Sequence, residues 1–340
     1  MVVYTSLPAG QEQARTRWNT HVSGEAFDRK KSPYLTEQAQ KFMVQQGQCV
    51  VAGLDGHDEL SGLLVLGTPG FVQTPDEHTC LVRLDDHLAS SPILLTLRQS
   101  LQNGQTARFG LFFICHPTRE RLCVHGKAEL FTKRSLFRKS IWVRLHVEQS
   151  FFHCSKYIKT HIAGLTSQAL VVPSEQIVQL KQLNDSQLRQ LSEPVCAFIA
   201  KQSLCFLCTI GHDGQPAINH RGGAAGFLVT LPPDTLASGG TILLPDYSGN
   251  GAFEAIGNIF ETGQAALVIP NYAAQLAVCV SGRAYVLELA DLLPEIAQKC
   301  VGAERVVALA VQRVEVQSGN WSTALAYERA RAERMLHTLK

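Results

Sequence analysis

Two stretches of the chain hold residue types that could do chemistry together. Asn219-His220-Arg221-Gly222-Gly223 runs on into Ala224-Ala225-Gly226-Phe227, and some twenty residues later comes Pro245-Asp246-Tyr247-Ser248-Gly249-Asn250. The first reads as a strand ending in small residues, and the second as a strand end that turns into a helix starting near Ala252. Arginine offers a planar fork of donors. A loop that opens a helix offers unpaired N–H groups at the positive end of the helix dipole. A guanidinium, an imidazole, a hydroxyl and free amides suit a phosphate-bearing ligand. For Ser248–Asn250 alone, ordinary helix capping fits as well.

Other spacings promise less. Cys205 and Cys208 form a C-x-x-C within Leu204–Ile210, which reads as a strand. Residues three apart on a strand face opposite sides, so the pair is expected to be structural. The ten cysteines and twelve histidines hold no second ligand pair at zinc spacing, and no metal is expected. The sequence names no substrate-side acid or base, so no catalytic residue is nominated.

Composition sets the frame for these residues. The chain has 340 residues, 45% hydrophobic and 18% charged, enough for two ordinary globular domains. A net charge of +2 argues against a nucleic-acid binder, the one dense basic run being Lys133-Arg134, Arg138-Lys139 and Arg144. The N-terminus does not read as a signal peptide, and no window is apolar enough to span a membrane. Abundant cysteine without an export signal points to a reducing, cytoplasmic setting.

The elements that must position the site follow in order. Residues 1 to about 37 read as polar and irregular. A helix at Leu35–Gln46 precedes strands at Cys49–Asp55, Leu60–Gly67 and Thr79–Leu84, a helix at Pro92–Gln102, and strands at Thr106–Cys115, Arg121–Leu130 and Ser140–Glu148. Between Thr166 and Ser192, Ile177, Leu180, Leu183, Leu188 and Leu191 fall near helical intervals, as a helical linker would. Then the pattern restarts: helix Pro194–Gln202, strand Leu204–Ile210, the opening strand, strand Thr241–Pro245, helix Ala252–Glu261 with a Gly263 stop, and strands Gln264–Pro270 and Leu276–Leu287.

The restart is a duplication. Phe42, Cys49, Gly67, Gly70, Phe71, Gly126 and Ala128 each have an identical residue 156 positions on. Gly-His-Asp turns recur at an offset of 155, and Gly104-Gln105 recurs as Gly263-Gln264 at 159. The expected domains are an N-terminal extension (1–37), a first repeat (38–165), a helical linker (166–190), and a second repeat (191–340) ending in a helix. Short strands separated by turns suggest small closed barrels, which leave no strand edge exposed. The duplication is also an internal control, because Asn219, His220 and Arg221 align with Leu63, Leu64 and Val65. The same strand is polar in one repeat and apolar in the other, which favours a functional role for His220 and Arg221 over a surface ion pair or a domain-interface role.

These residues resemble the pyridoxamine 5′-phosphate oxidase-like FMN-binding split barrels, in particular the bacterial two-barrel branch. Leu63-Leu64 with Gly67-Thr68-Pro69-Gly70-Phe71 is similar to its first-barrel pattern. So is Gln149-Ser150-Phe151 with Cys154-Ser155-Lys156-Tyr157-Ile158. In the second barrel the resemblance rests on His220-Arg221-Gly222-Gly223, Gly226-Phe227, and Pro245–Asn250 with Gly257-Asn258. The chain departs from the pattern at Ala224-Ala225, Thr262-Gly263 and Gly319-Asn320-Trp321-Ser322.

The resemblance implies a mainly β protein of tandem split barrels packed as an intrachain pseudo-dimer, with FMN at their interface. Arg221 and Ser248-Gly249-Asn250 would take the phosphate, flanked by Asp246 and Tyr247, while Asn219 and His220 would lie nearer the ribityl chain or ring. His153 and Lys156 would approach from the first barrel, or serve packing, and Phe151, Phe152 and Tyr157 could cover the site. The activity implied is an oxidoreductase acting on a small molecule, fed by free reduced pyridine nucleotide, a separate reductase or the substrate itself. The alternatives are FAD, or a non-catalytic protein whose barrel holds a flavin, haem or nothing. The barrels are expected to pack face to face, the 166–192 segment only bridging them, with a further homodimer possible.

Overall fold

The computed structural model describes residues 7–84, 88, 91–103, 107–134, 139–153, 155–167, 174–235 and 237–338. Ala89, Ser90, Gly104, Gln105, Arg138 and Cys154 lie outside the described residues. In chain order the helices are α1 (Ala9–Trp18), α2 (His21–Asp28), α3 (Glu37–Met43), α4 (Pro92–Gln102), α5 (Ser174–Lys181), α6 (Glu193–Ile199), α7 (Glu254–Thr262), α8 (Pro294–Ala297) and α9 (Ser322–Thr338). The first seven strands are β1 (Gln48–Leu54), β2 (Leu60–Leu66), β3 (Val72–Asp76), β4 (Thr79–Leu84), β5 (Ala107–Cys115), β6 (Glu120–Arg134) and β7 (Lys139–Phe152). The next seven are β8 (Leu204–Ile210), β9 (Pro216–Gly222), β10 (Val229–Leu231), β11 (Thr241–Asp246), β12 (Gln264–Asn271), β13 (Leu276–Glu288) and β14 (Arg305–Ser318).

The strands form two antiparallel seven-stranded sheets of the same topology, β2-β1-β5-β6-β7-β4-β3 and β10-β11-β14-β13-β12-β8-β9 written in opposite senses. Each wraps its own core as a split barrel. Strand register carries the repeat residue by residue. Cys49 pairs with Val65 as Cys205 pairs with Arg221, and Val50 with Leu64 as Phe206 with His220. The ladder irregularities at His125/Gly126 and Ser281/Gly282 match too. In both a Cβ on the glycine would strike the carbonyl of the paired strand, at 1.9 Å for Gly126 and 2.0 Å for Gly282, so only glycine fits there.

A third core lies between the barrels. One side of β1, β2 and β5 (Val50, Ala52, Leu64, Phe112, Ile114) meets one side of β8, β9 and β12 (Phe206, Cys208, Ile218, Ala266, Val268). Period-two alternation makes this possible, since each strand turns one set of side chains inward and the other towards its sister barrel. Cys205 therefore sits in the second barrel's core and Cys208 in the shared one, on opposite sides of β8.

Three sequence expectations need correction. The segment at 1–37 is not irregular: α1 and α2 fold there. α1 is mostly polar; Gly10 and Gln11 are buried against Gly257 of α7, Ala14 and Trp18 pack on the second barrel's core, and Arg15 is enclosed by Gly24 and the Ala252 carbonyl. A Cβ on Gly10 would lie 2.1 Å from the Gly257 carbonyl oxygen, so the crossing requires glycine. The segment at 166–192 does more than bridge, because Leu180 and Leu191 are buried in the second barrel's core, with Ile177, Leu183 and Leu188 packed against it. Phe152 does not cover the other barrel either; it packs against the first core, edge-on to Phe42.

The chain ends cross over. While α1 packs on the second barrel, α9 grips the first: Tyr327 Oη donates to the Gln45 carbonyl, and Arg331, paired with Glu328, donates to Gln46.

Candidate functional site

The ten residues singled out from sequence all line one cleft between the barrels. Asn219, His220 and Arg221 come from β9, an edge strand of its sheet. Asp246 ends β11, and Tyr247, Ser248, Gly249 and Asn250 form the loop towards α7. His153 and Lys156 follow β7 of the other barrel, joined by Arg121 and Tyr157. Alternation divides β9. His220 turns towards the shared core, its ring 6.0 Å from those of Phe206 and His116. Arg221 turns the other way, to Asp246.

Asp246, on the cleft wall, is also a junction between two arginines. Its two oxygens are engaged by Arg221 at 2.6 Å and by Arg305 at 3.0 Å. The Arg305 guanidinium, nearly buried, lies 4.2 Å from the Trp18 ring and 4.8 Å from Phe253. The Asp246 carboxylate thereby holds the Arg221 head at the cleft wall. Counting Arg121, Lys156 and Arg221 against Asp246, the lining carries an excess of positive charge.

Several polar atoms here are buried without a partner: Nδ2 of Asn219, both ring nitrogens of His220, and Nε of Arg221. Leaving such groups unsatisfied costs on the order of 1–3 kcal/mol each, so their clustering in one cleft points to a ligand that would satisfy them. Burial, reinforced by His116 and the nearby cations, pushes the His220 imidazole well below its usual range. Burial does the same to His153, and lowers His116 to about 4. All three rings are neutral at pH 7, each able to donate from one nitrogen and accept at the other.

The loop meets the helix in a shape that favours an anion. Asn250 Oδ1 accepts from the Ala252 amide, Gly251 and Phe253 have positive φ, and α7 begins at Glu254 rather than Ala252. No side chain caps α7, whose first-turn residues Ala255 and Ile256 line the cleft. From the first barrel, Tyr157 donates its hydroxyl to the Ser248 carbonyl at 3.0 Å and packs its ring 5.7 Å from Tyr247. His153 lies deeper, Nε2 3.0 Å from Cys123 Sγ, its ring against Phe27 and Phe151.

Sequence reasoning passed over Arg121, though the signal existed. By strand register it corresponds to Ala277 in the second repeat, the same polar-for-apolar contrast that singles out Arg221.

Among the described residues no group of three or more His, Cys, Asp or Glu could hold a metal ion, and no helix is long and apolar enough to cross a membrane. No protein-family model matches the chain, and no curated protein does. Solved structures similar to it include a single-residue variant of HupZ from Group A Streptococcus, 19% identical over 38% of this chain and 100% of that one, TM-score 0.29. HutZ, the heme storage protein from Vibrio cholerae, is 11% identical over 38% of this chain and 94% of its own, TM-score 0.24. A Clostridium acetobutylicum protein of the pyridoxinephosphate oxidase family, related to general stress protein 26, is 10% identical over 43% and 91%, TM-score 0.25.

Proposed function

We propose that the cleft binds FMN and that the protein is a flavin-dependent oxidoreductase acting on a small molecule. The observation that carries this reading is the set of buried, unpartnered polar atoms on Asn219, His220 and Arg221 beside an uncapped helix start. Arg221, held by Asp246, would anchor the phosphate with the Ser248–Asn250 loop and amides at the start of α7. Lys156 and Arg121 would add charge from the other barrel. Asn219 and His220 would satisfy polar atoms of the ribityl chain or ring, and the shared core would keep water from the buried side. Bound flavin would supply the two-electron redox chemistry, the protein supplying anchoring, orientation and water exclusion.

The reading implies one flavin per chain, because the sister strand offers Leu63, Leu64 and Val65 and no donor for a dianion. The test is a flavin titration of the apoprotein followed by absorbance and fluorescence. One equivalent is expected for the wild type. Arg221→Ala should weaken FMN binding about tenfold to a hundredfold, since a charge-assisted pair contributes roughly 1.5–3 kcal/mol. Two equivalents, unchanged affinity in the variant, or a Soret band in place of flavin absorbance would each overturn the assignment.

A further inference from the structure

The N-terminal segment lies outside the cleft, yet its buried groups converge on the loop that forms the cleft wall. Arg15, on α1, is only 1% exposed. Its Nε and Nη2 donate to the Ala252 carbonyl at 3.3 and 3.2 Å, and Asp28 at the end of α2 holds Nη2 at 2.8 Å. Gly24 makes room, for a Cβ there would sit 2.4 Å from Arg15 Nε. Thr20, between the helices, donates its hydroxyl to the Gly251 carbonyl at 3.2 Å. Lys31, just past α2, pairs with Glu254, the first residue of α7, at 2.6 Å and with Asp28 at 3.1 Å.

Gly251 and Ala252, between the Ser248–Asn250 loop and α7, and Glu254 at the start of α7 are thus gripped from one side by one continuous strap. The grip has a directional consequence. All peptides here are trans, so holding the Ala252 carbonyl against Arg15 turns the Phe253 N–H away from the strap. Gly251 and Phe253 sit at positive φ, a backbone state that a residue such as phenylalanine adopts only under outside constraint.

We propose that the α1–α2 strap positions the ligand loop, with Arg15 as its anchoring residue; this rests on the flavin reading above only for the identity of the ligand. Arg15 does not line the cleft. It acts through the 251–253 backbone on the groups that would meet a phosphate.

The test uses the full chain with Arg15→Ala and, because removing a buried arginine can impair folding, Thr20→Val as a second variant. Two measurements are made on each: amide hydrogen exchange across 248–256 without ligand, and affinity for FMN and for riboflavin, which lacks the phosphate. Faster exchange confined to 248–256 is expected in both variants. FMN affinity should fall about tenfold in Arg15→Ala and about threefold in Thr20→Val, with riboflavin affinity nearly unchanged. Unaltered exchange at 248–256 would overturn the proposal, as would equal weakening of both flavins, which a merely structural role would produce. If the wild type binds neither flavin, the FMN reading fails and exchange alone decides: faster exchange supports the strap and unchanged exchange refutes it.

Discussion

The second barrel joins Arg221, Asp246 and Arg305 where the first barrel, by strand register, has Val65, Leu84 and Ile141. Those three are apolar, with Val65 and Leu84 buried. The contrast continues around the two clefts. His153 at the end of β7 corresponds to Gln317 of β14, which donates to the Gly62 carbonyl and accepts from the Leu64 amide, closing the edge of β2. His116 corresponds to Tyr272, whose hydroxyl donates to Gln48. One side is plugged by its sister barrel, and the other keeps orphaned donors. Since the backbones match in register, the fold needs neither the charges nor the imidazoles. The two barrels thus differ in side chains at equivalent positions of a shared backbone.

The sharpest way to break the comparison is to remove the junction. Asp246→Ala would leave half-buried Arg221 without a counterion and buried Arg305 with only Glu304, and should cost about 3 kcal/mol. The triple change Arg221→Val, Asp246→Leu and Arg305→Ile, which installs the first barrel's residues, should recover most of that loss. Denaturant unfolding of the three proteins decides the matter. If Asp246→Ala loses under about 1 kcal/mol, the pairing is not the keystone it is taken to be.

Acid should sharpen the difference next. Imidazoles held neutral by burial take up protons on unfolding once the pH drops below about 6.5, the unfolded value. Their stabilisation is complete above that pH and lost progressively as pH falls towards the folded value, about 4 for His116. By pH 5 this one ring should account for ~2 kcal/mol of lost stability. His116→Tyr, the residue of the plugged side, should flatten the fall in melting temperature between pH 7.5 and 5; an identical pH profile would count against it. The smallest effect is expected from Tyr157→Phe, which removes the bond to Ser248. About 0.5–1 kcal/mol of flavin binding should go, seen as a twofold to fivefold weaker affinity by fluorescence titration. No change would show the inter-barrel contact to be incidental.

Much of this was legible in one dimension. The repeat offset, most of the strands and the polar-for-apolar swap on β9 follow from local pattern, because alternation sets which side of a strand is buried, whereas β3, β10 and β14 are additions of the structure. The helical intervals at Ile177–Leu191 were also visible, although not the core they would enter.

What local pattern could not decide is who meets whom. α1 shows little apolar pattern beyond Ala14 and Trp18, and its burial depends on Gly10 finding Gly257 and Arg15 finding the Ala252 carbonyl, over two hundred residues away. Nothing local to Asp246 announces Arg305, which arrives from β14 to share it. Gln317 looks like any surface glutamine until it closes β2. Burial of a polar group is tolerable only when a partner stands at hydrogen-bond distance, and that partner is supplied by the tertiary fold. Residue types and periods therefore came from the sequence alone, while the crossing of the chain ends, the charge junction and the choice of which cleft stays open belong to the packed molecule.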